Sequence, residues 1–110
     1  MMIKDKPDFY SKNFISICKA HKVKELFAFG SVITDHFNDE SDLDLLVDVD
    51  EEDPLICGDL LLSFWDEMEK YSGRKVDLLT PNSLRNPYLK EEIDRTKKLI
   101  YDGSKEKILL

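Results

Sequence analysis

Three aspartates, Asp42, Asp44 and Asp77, are the residues of this 110-residue chain whose types and spacing have the clearest potential for chemistry. Asp42 and Asp44 lie two positions apart in an alternating segment, so both side chains project from one face of a predicted strand. Their Cβ atoms are then roughly 6.5–7 Å apart. Two carboxylates this close repel each other, and a divalent cation makes their proximity favourable. Oxygen ligands of this kind suit Mg²⁺, which also contacts substrate phosphates.

Asp77 strengthens this interpretation because Asp is disfavoured inside strands and its position in a predicted strand needs a reason. If that strand neighbours the one that carries Asp42 and Asp44, Asp77 completes a cluster of three carboxylates. Such a cluster could hold two metal ions about 3.5–4 Å apart, an arrangement that suits in-line displacement at phosphorus. An Asp-x-Asp pair by itself is common on exposed strand faces, so the inference depends on the third carboxylate.

Gly30 and Ser31 form a candidate phosphate site at the end of an apolar predicted strand. A glycine lets the backbone approach a phosphate closely. Ser31 offers an N–H and a hydroxyl near the start of a short helical turn. A lone Gly-Ser is merely a turn, and its meaning here comes from its place before the Asp42–Asp44 pair.

The strands that must position these residues are predicted at positions 24–29, 42–49 and 75–80. The first has apolar residues on both faces, which indicates an interior strand covered on both sides. In the second, one face is apolar and the other carries the aspartates. The segment 98–101 is consistent with either a short edge strand or an extension of the last helix.

Three amphipathic segments are predicted to be helices that flank this sheet, at 7–21, at 55–71 and from about Asn86 onward. Their order with the strands indicates a single α/β (α+β) domain over residues 1–110, with a small mixed sheet and a core at about 8–101. Residues 104–110 are predicted to be a flexible tail, whose apolar end is an alternative partner contact. The side chains expected to point inward are Phe14, Ile17, Cys18 and His21, then Leu61, Phe64, Trp65 and Met68, and finally Leu89 and Ile93.

Composition narrows the function classes. The chain has 16 basic and 23 acidic residues and a net charge of −7, which argues against binding to duplex nucleic acid. Nucleotide binding remains compatible with this acidic composition because bound metal ions supply positive charge.

Cys18 and Cys57 lack zinc-site spacing and are interpreted as reduced thiols. With no signal peptide and no apolar run of about 20 residues, a cytoplasmic protein with no membrane contact is expected.

The combined pattern is more specific than its parts. The sequence FAFGSVITDHFNDESDLDLLVD, followed by KVDLL, resembles the DNA polymerase beta-like nucleotidyltransferase superfamily. Within it, the chain is similar to the minimal nucleotidyltransferases, some of which are antitoxins of toxin–antitoxin pairs. The resemblance spans roughly residues 14–101 and implies the polymerase beta-like nucleotidyltransferase fold.

The resemblance also implies roles for individual residues. Gly30 and Ser31 match the residues that bind the triphosphate, and Asp42 and Asp44 match the metal-binding pair. Asp77 matches the third carboxylate, which helps to bind one metal and is the candidate base. The implied reaction is Mg²⁺-dependent transfer of a nucleotide, AMP from ATP, to a hydroxyl, with two metal ions. The implied acceptor is a partner toxin of the HEPN type, and the alternative is a non-catalytic antitoxin or partner-binding subunit.

One part of the motif departs from the family. Where many relatives have an Arg and then a Gly after the Gly-Ser, this chain has Thr34 and Asp35. A cation expected near the phosphates is therefore missing, which weakens or redirects triphosphate binding unless Asp35 points away. Of the neighbouring polar residues, His36 is interpreted as an exposed loop residue and Arg74 as a helix C-terminal charge.

Overall fold

A computed structural model describes residues 8–104 of the chain. It contains three α-helices, four strands and two short 3₁₀ turns within that range. The helices are α1 (Lys12–Ala20), α2 (Pro54–Ser72) and α3 (Pro87–Thr96). The strands are β1 (Val23–Phe29), β2 (Leu43–Val49), β3 (Val76–Leu79) and β4 (Lys98–Asp102), and the 3₁₀ turns are Gly30–Ile33 and Pro81–Ser83.

The four strands form one mixed sheet in the order β3-β2-β1-β4. Strand β1 is antiparallel to both β2 and β4, whereas β2 is parallel to β3. A parallel neighbour requires a crossover connection, which α2 provides. The predicted fold class, a small mixed sheet flanked by helices, is therefore confirmed, and the segment after α3 is a strand rather than a longer helix.

The main hydrophobic core lies between one face of the sheet and the helices α1 and α2. Both helices begin at side-chain caps, since Ser11 Oγ accepts from Phe14 N–H and Asp53 Oδ1 accepts from Leu55 N–H. Helix α2 ends at Gly73, whose φ of +69° is the left-handed conformation common at helix C-termini. The largest fully buried side chains of the core include Phe14, Phe64, Leu26, Leu43, Leu45 and Met68.

The opposite face of the sheet is only partly covered. Leu46 and Ile93 are buried but lie outside the main core, and Lys97 Nζ sits 4.2 Å from the centre of the Phe27 ring. Helix α3 therefore shields the middle of this face. Asp42 and Asp77 are exposed on the same side, so the end of the sheet that carries the aspartates is open to solvent.

Three local predictions differ from the structure. Helix α1 was predicted to begin at Pro7, which lies outside the described range. It begins at Lys12, because the side chain of Ser11 caps the helix there. Trp65 is 39% exposed because its indole N–H reaches the strand edge instead of the core. Leu89 is 46% exposed, and Ile93 is the residue of α3 that is buried. The tail prediction for 105–110 falls outside the described residues.

Both cysteines are free thiols. Cys18 lies inside the core, and burial raises the pKa of its thiol to about 12, so it behaves as an apolar core residue. Cys57 is half-buried on α2. Within residues 8–104, no helix combines the length and the apolar character needed to cross a membrane.

Candidate active site

The register of the sheet places three strands around Asp44. Phe29, the last residue of β1, is opposite Asp44 in the antiparallel pair, and Asp77 of β3 is opposite it in the parallel pair. Asp42 comes directly before the first residue of β2, two positions from Asp44. Because neighbouring strands are about 4.8 Å apart, the aspartates occupy adjacent backbone positions at one end of the sheet.

Gly30 is in direct contact with the side chain of Asp44. It follows β1 with a φ of +73°, a conformation that favours glycine. A Cβ atom at this position would lie 2.2 Å from Asp44 Oδ2 and 3.1 Å from its Cγ, so the Asp44 carboxylate would have to move. The positive φ and the close approach both favour glycine here, and the contact joins the Gly-Ser and Asp-x-Asp parts of the motif in space.

The turn after Gly30 is closed by Thr34. The carbonyl oxygen of Ser31 accepts from the Thr34 N–H at 2.9 Å and from the Thr34 hydroxyl at 2.8 Å. The Thr34 hydroxyl in turn accepts from the N–H of His36 at 3.1 Å. The residue that replaces the family's arginine thus holds the backbone of the turn, while Asp35 and His36 are exposed.

Asp44 sits in an environment that disfavours a negative charge. Its side chain is half-buried, and its pKa is raised to about 6, first by desolvation and then by the charges of Asp77 and Asp42. The other two aspartates are exposed and remain hydrated. The negative potential of the neighbouring carboxylates therefore acts most strongly on Asp44, and a bound cation would relieve it.

The donor chemistry fits a divalent cation, because the three candidate ligands are carboxylates at adjacent backbone positions and the contact with Gly30 fixes one of them. The side chains do not, however, converge on one point. Among residues 8–104, no group of three His, Cys, Asp or Glu side chains is close enough to hold a metal ion. The ligand set Asp42, Asp44 and Asp77 accordingly stays a prediction that requires side-chain rotation on metal binding.

Arg74 is a positioning residue that the sequence interpretation missed. Its Nη1 donates to the carbonyl oxygens of Asn38 and Ser41, both at 2.8 Å, and its guanidinium lies 4.2 Å over the Phe37 ring. These contacts fix the segment that leads into Asp42. The signal in the sequence was Phe37, a large apolar residue inside a polar loop, which needs a packing partner.

Asp48 continues the face of β2 that carries Asp42 and Asp44, but it is half-buried. It is opposite Glu25 on β1 and lines a pocket of about 160 Å³ between the sheet and α3. Phe27, Leu46 and Lys97 also line this pocket, so α3 covers this part of the face.

The chain belongs to the polymerase beta nucleotidyltransferase family. The family model described as "Polymerase beta, Nucleotidyltransferase" matches residues 12–106, which confirms the family that the motif predicted. Two proteins of Methanocaldococcus jannaschii, provisionally named protein adenylyltransferases MJ1379 and MJ1217, are 38% and 37% identical to this chain. Each alignment runs over 81 residues and covers 74% of this chain and 78% of the relative.

Solved structures show the same fold. A chain from a variant of the toxin–antitoxin complex MntA–HpeT has a TM-score of 0.61 at 16% identity, covering 88% of this chain and 77% of that chain. A chain of a toxin–antitoxin structure with AMP-PNP has a TM-score of 0.60 at 18% identity, covering 86% and 75%. A third, from a tri-AMPylated Shewanella oneidensis HEPN toxin in complex with its MNT antitoxin, has a TM-score of 0.50 at 17% identity, covering 88% and 73%.

Replacing Gly30 with Ala is expected to lower the free energy of unfolding by about 2 kcal/mol, because a side chain at positive φ is strained and its Cβ collides with Asp44. Urea denaturation measures the change. Gly58→Ala is the matched control, since a Cβ there meets nothing within 4 Å. The cost of Gly30→Ala should shrink in an Asp44→Ala background; an equal cost in both backgrounds would show that the contact with Asp44 is irrelevant.

Arg74→Lys is expected to loosen the segment before Asp42, because lysine keeps the charge but loses the planar guanidinium that stacks on the Phe37 ring while Nη1 binds two carbonyls. Amide hydrogen exchange at Ser41, whose N–H donates to Asn38 O, should become faster by about tenfold. Amides in the middle of α2 serve as the internal control. Unchanged exchange at Ser41 would contradict the positioning role.

The raised pKa of Asp44 predicts a specific pH dependence in metal-free buffer. Because the folded chain keeps this proton up to about pH 6 while the unfolded chain loses it near pH 4, the Asp44 contribution to stability falls as the pH rises through that window. In EDTA at pH 7.5, Asp44→Asn should therefore be more stable than the wild type by about 1 kcal/mol, allowing for solvent screening. Thermal melts from pH 4 to 8 test this; a destabilised variant at pH 7.5 would refute it.

Proposed function

We propose that this chain is a Mg²⁺-dependent nucleotidyltransferase that transfers AMP from ATP to a hydroxyl group of a partner protein. The observation that carries the proposal is the sheet register that puts Asp44 beside Asp77 on one strand and beside the Gly30 turn on the other. That arrangement sets candidate metal ligands next to a candidate phosphate site. The names of the M. jannaschii relatives, protein adenylyltransferases, support the reaction type.

In this proposal Gly30 and Ser31 bind the triphosphate, with the backbone N–H groups of the turn facing phosphate oxygens. Asp42, Asp44 and Asp77 would hold Mg²⁺, with two ions as the expected number. When bound, the metal supplies charge stabilisation on the non-bridging and leaving oxygens.

Asp77 is the candidate base because it is exposed on the strand next to Asp44 and is therefore accessible to an incoming acceptor. It accepts the proton of the acceptor hydroxyl as the new oxygen–phosphorus bond forms at the α-phosphate. The bond between the α-phosphorus and the bridging oxygen breaks, and pyrophosphate leaves.

The proposed acceptor is a HEPN-type toxin, which makes the chain the antitoxin of a toxin–antitoxin pair. This follows the structural neighbours, one of which is an MNT antitoxin in complex with a tri-AMPylated HEPN toxin. The net charge of −7 disfavours a nucleic acid acceptor. A protein hydroxyl is thus the acceptor class that its charge best accommodates.

A second candidate function is a partner-binding antitoxin without turnover. The observation that favours it is the turn after Ser31, where Thr34 bonds to the backbone and an exposed Asp35 follows. The cation that many relatives place near the phosphates is replaced here, and an added anion opposes the triphosphate. This candidate predicts tight binding to the toxin with no ATP binding.

The proposal is tested by incubating the chain with ATP labelled at the α-phosphate, Mg²⁺ and a HEPN-type protein encoded in the same operon. Label is expected on the HEPN-type protein, and Asp42→Asn with Asp44→Asn should reduce its transfer by about a hundredfold or more. Asp48→Asn is the matched control, because it removes a carboxylate from the same strand and face outside the site. Persistent transfer by the double variant would overturn the mechanism, and toxin binding with no ATP binding would establish the second candidate.

A further inference from the structure

Helix α2 carries an exposed apolar surface that the proposed chemistry does not use. Leu55 is 82% exposed, Leu62 is 65% exposed and Trp65 is 39% exposed, and their spacing puts them on one face of the helix. Together with Leu78 of β3 they line a groove of about 430 Å³ between the helix and the edge of the sheet. We call these four residues the α2 surface. A contiguous apolar surface of this kind marks an interaction site.

Gly58 forms the floor of the same groove. A glycine inside a helix costs stability relative to alanine, and a Cβ at this position would meet nothing within 4 Å. Packing within the described part of the chain therefore does not require this glycine. It leaves a notch between Leu55 and Leu62, where another molecule can approach the helix backbone.

Charge at the margin of the groove indicates what kind of partner fits. Of the residues in the 8–104 region that line the groove and its continuation past Leu62, those that carry a charge are all acidic: Asp59, Asp66 and Glu69. Asp59 makes no ion pair within that region. A second copy of this chain would bring acid against acid, which is unfavourable. A partner with an apolar ridge and basic side chains at its margin is complementary.

Strand addition at the edge of β3 is a less suitable mode, because α2 side chains already occupy the backbone groups where β3 begins. The N–H of Val76 donates to Glu69 Oε2 at 2.9 Å, and the carbonyl of Val76 accepts from Trp65 Nε1 at 2.8 Å. These bonds leave the Val76 N–H and carbonyl unavailable for pairing with an added strand. They also join the α2 surface to the residue directly before Asp77, whose own side chain projects from the opposite face of the sheet.

We propose that the α2 surface is the docking surface for the protein acceptor, and that the acceptor meets it with an apolar ridge bordered by basic side chains. The inference rests on the proposed function for the identity of the acceptor. It goes further by placing the contact on α2, at the β3 edge of the sheet and outside the carboxylate site.

The test measures binding of the purified HEPN-type protein by calorimetry without nucleotide, so that docking is separated from chemistry. Leu62→Glu and Asp59→Lys are each expected to weaken binding by about tenfold or more. Their matched controls are Leu89→Glu and Glu91→Lys, which make the same changes at exposed positions of α3. Gly58→Leu, which fills the notch, is expected to weaken binding as well.

Folding and nucleotide binding are monitored in the same variants. Leu62→Glu should keep the wild-type melting temperature and the wild-type affinity for Mg²⁺ and AMP-PNP, because Leu62 is exposed and remote from Gly30. Loss of toxin binding with nucleotide affinity intact supports the docking surface. If binding survives in both Leu62→Glu and Asp59→Lys, or if Leu62→Glu only breaks a dimer of this chain, the inference is overturned. If nucleotide affinity is absent from the wild type, the proposed function fails while the docking result still stands.

Discussion

The contact between Gly30 and the carboxylate of Asp44 is the constraint on which the rest of the site depends. A carboxylate oxygen occupies the space where any other residue would have its Cβ atom, so a side chain at position 30 would displace the Asp44 carboxylate. The contact in turn requires that β1 and β2 keep their antiparallel register, with Phe29 opposite Asp44. That register is held by the buried faces of both strands, because a slip by one residue would turn Leu43, Leu45 and Val47 toward solvent.

The same strand register explains why the pKa of Asp44 is raised. Asp44 is half-buried, next to Asp77 and close to Asp42, and the fold tolerates this charge at a cost that appears as the raised pKa of Asp44. A carboxylate cluster that opposes the fold in the absence of a cation is typical of a functional site rather than of a stabilising network. Arg74 does not relieve this charge. Its guanidinium instead binds the Asn38 and Ser41 carbonyls and holds the loop that delivers Asp42.

Sequence patterns predicted the strands, the second helix and the side chains of β2 that point into the core. These predictions succeeded because alternation along β2 and the apolar stripe of α2 follow directly from burial. They made the carboxylate cluster conditional on the strand of Asp77 lying next to the strand of Asp42 and Asp44, and the parallel pairing of β2 and β3 meets that condition. They failed where a side chain bonds across the chain. Trp65 was assigned to the core, but its indole N–H reaches Val76, and Arg74 was assigned to a helix end, but it reaches the 37–41 loop. Such contacts join residues with no periodic relation, so no local pattern contains them.

Family membership and site geometry describe different properties of the chain. The match over residues 12–106 establishes the family and its fold. The hydrogen bonds of Thr34 and the positions of the carboxylates are features of this chain itself. Thr34 stabilises the turn at the position where many relatives have an arginine. In the proposed function, triphosphate binding therefore relies on backbone groups and on metal. The α2 surface lies on a different part of the molecule, which allows partner binding and nucleotide chemistry to vary independently.

The central claim is that Asp42, Asp44 and Asp77 bind a metal–nucleotide complex against the Gly30 turn. The most direct measurement is a crystal structure of the chain with Mn²⁺ and AMP-PNP, with anomalous data collected at the manganese edge. The account predicts an anomalous peak coordinated by Asp42 and Asp44, with Asp77 turned toward it and phosphate oxygens on the N–H groups of Gly30 and Ser31. Manganese and nucleotide bound elsewhere, with these three carboxylates left uncoordinated, would contradict it.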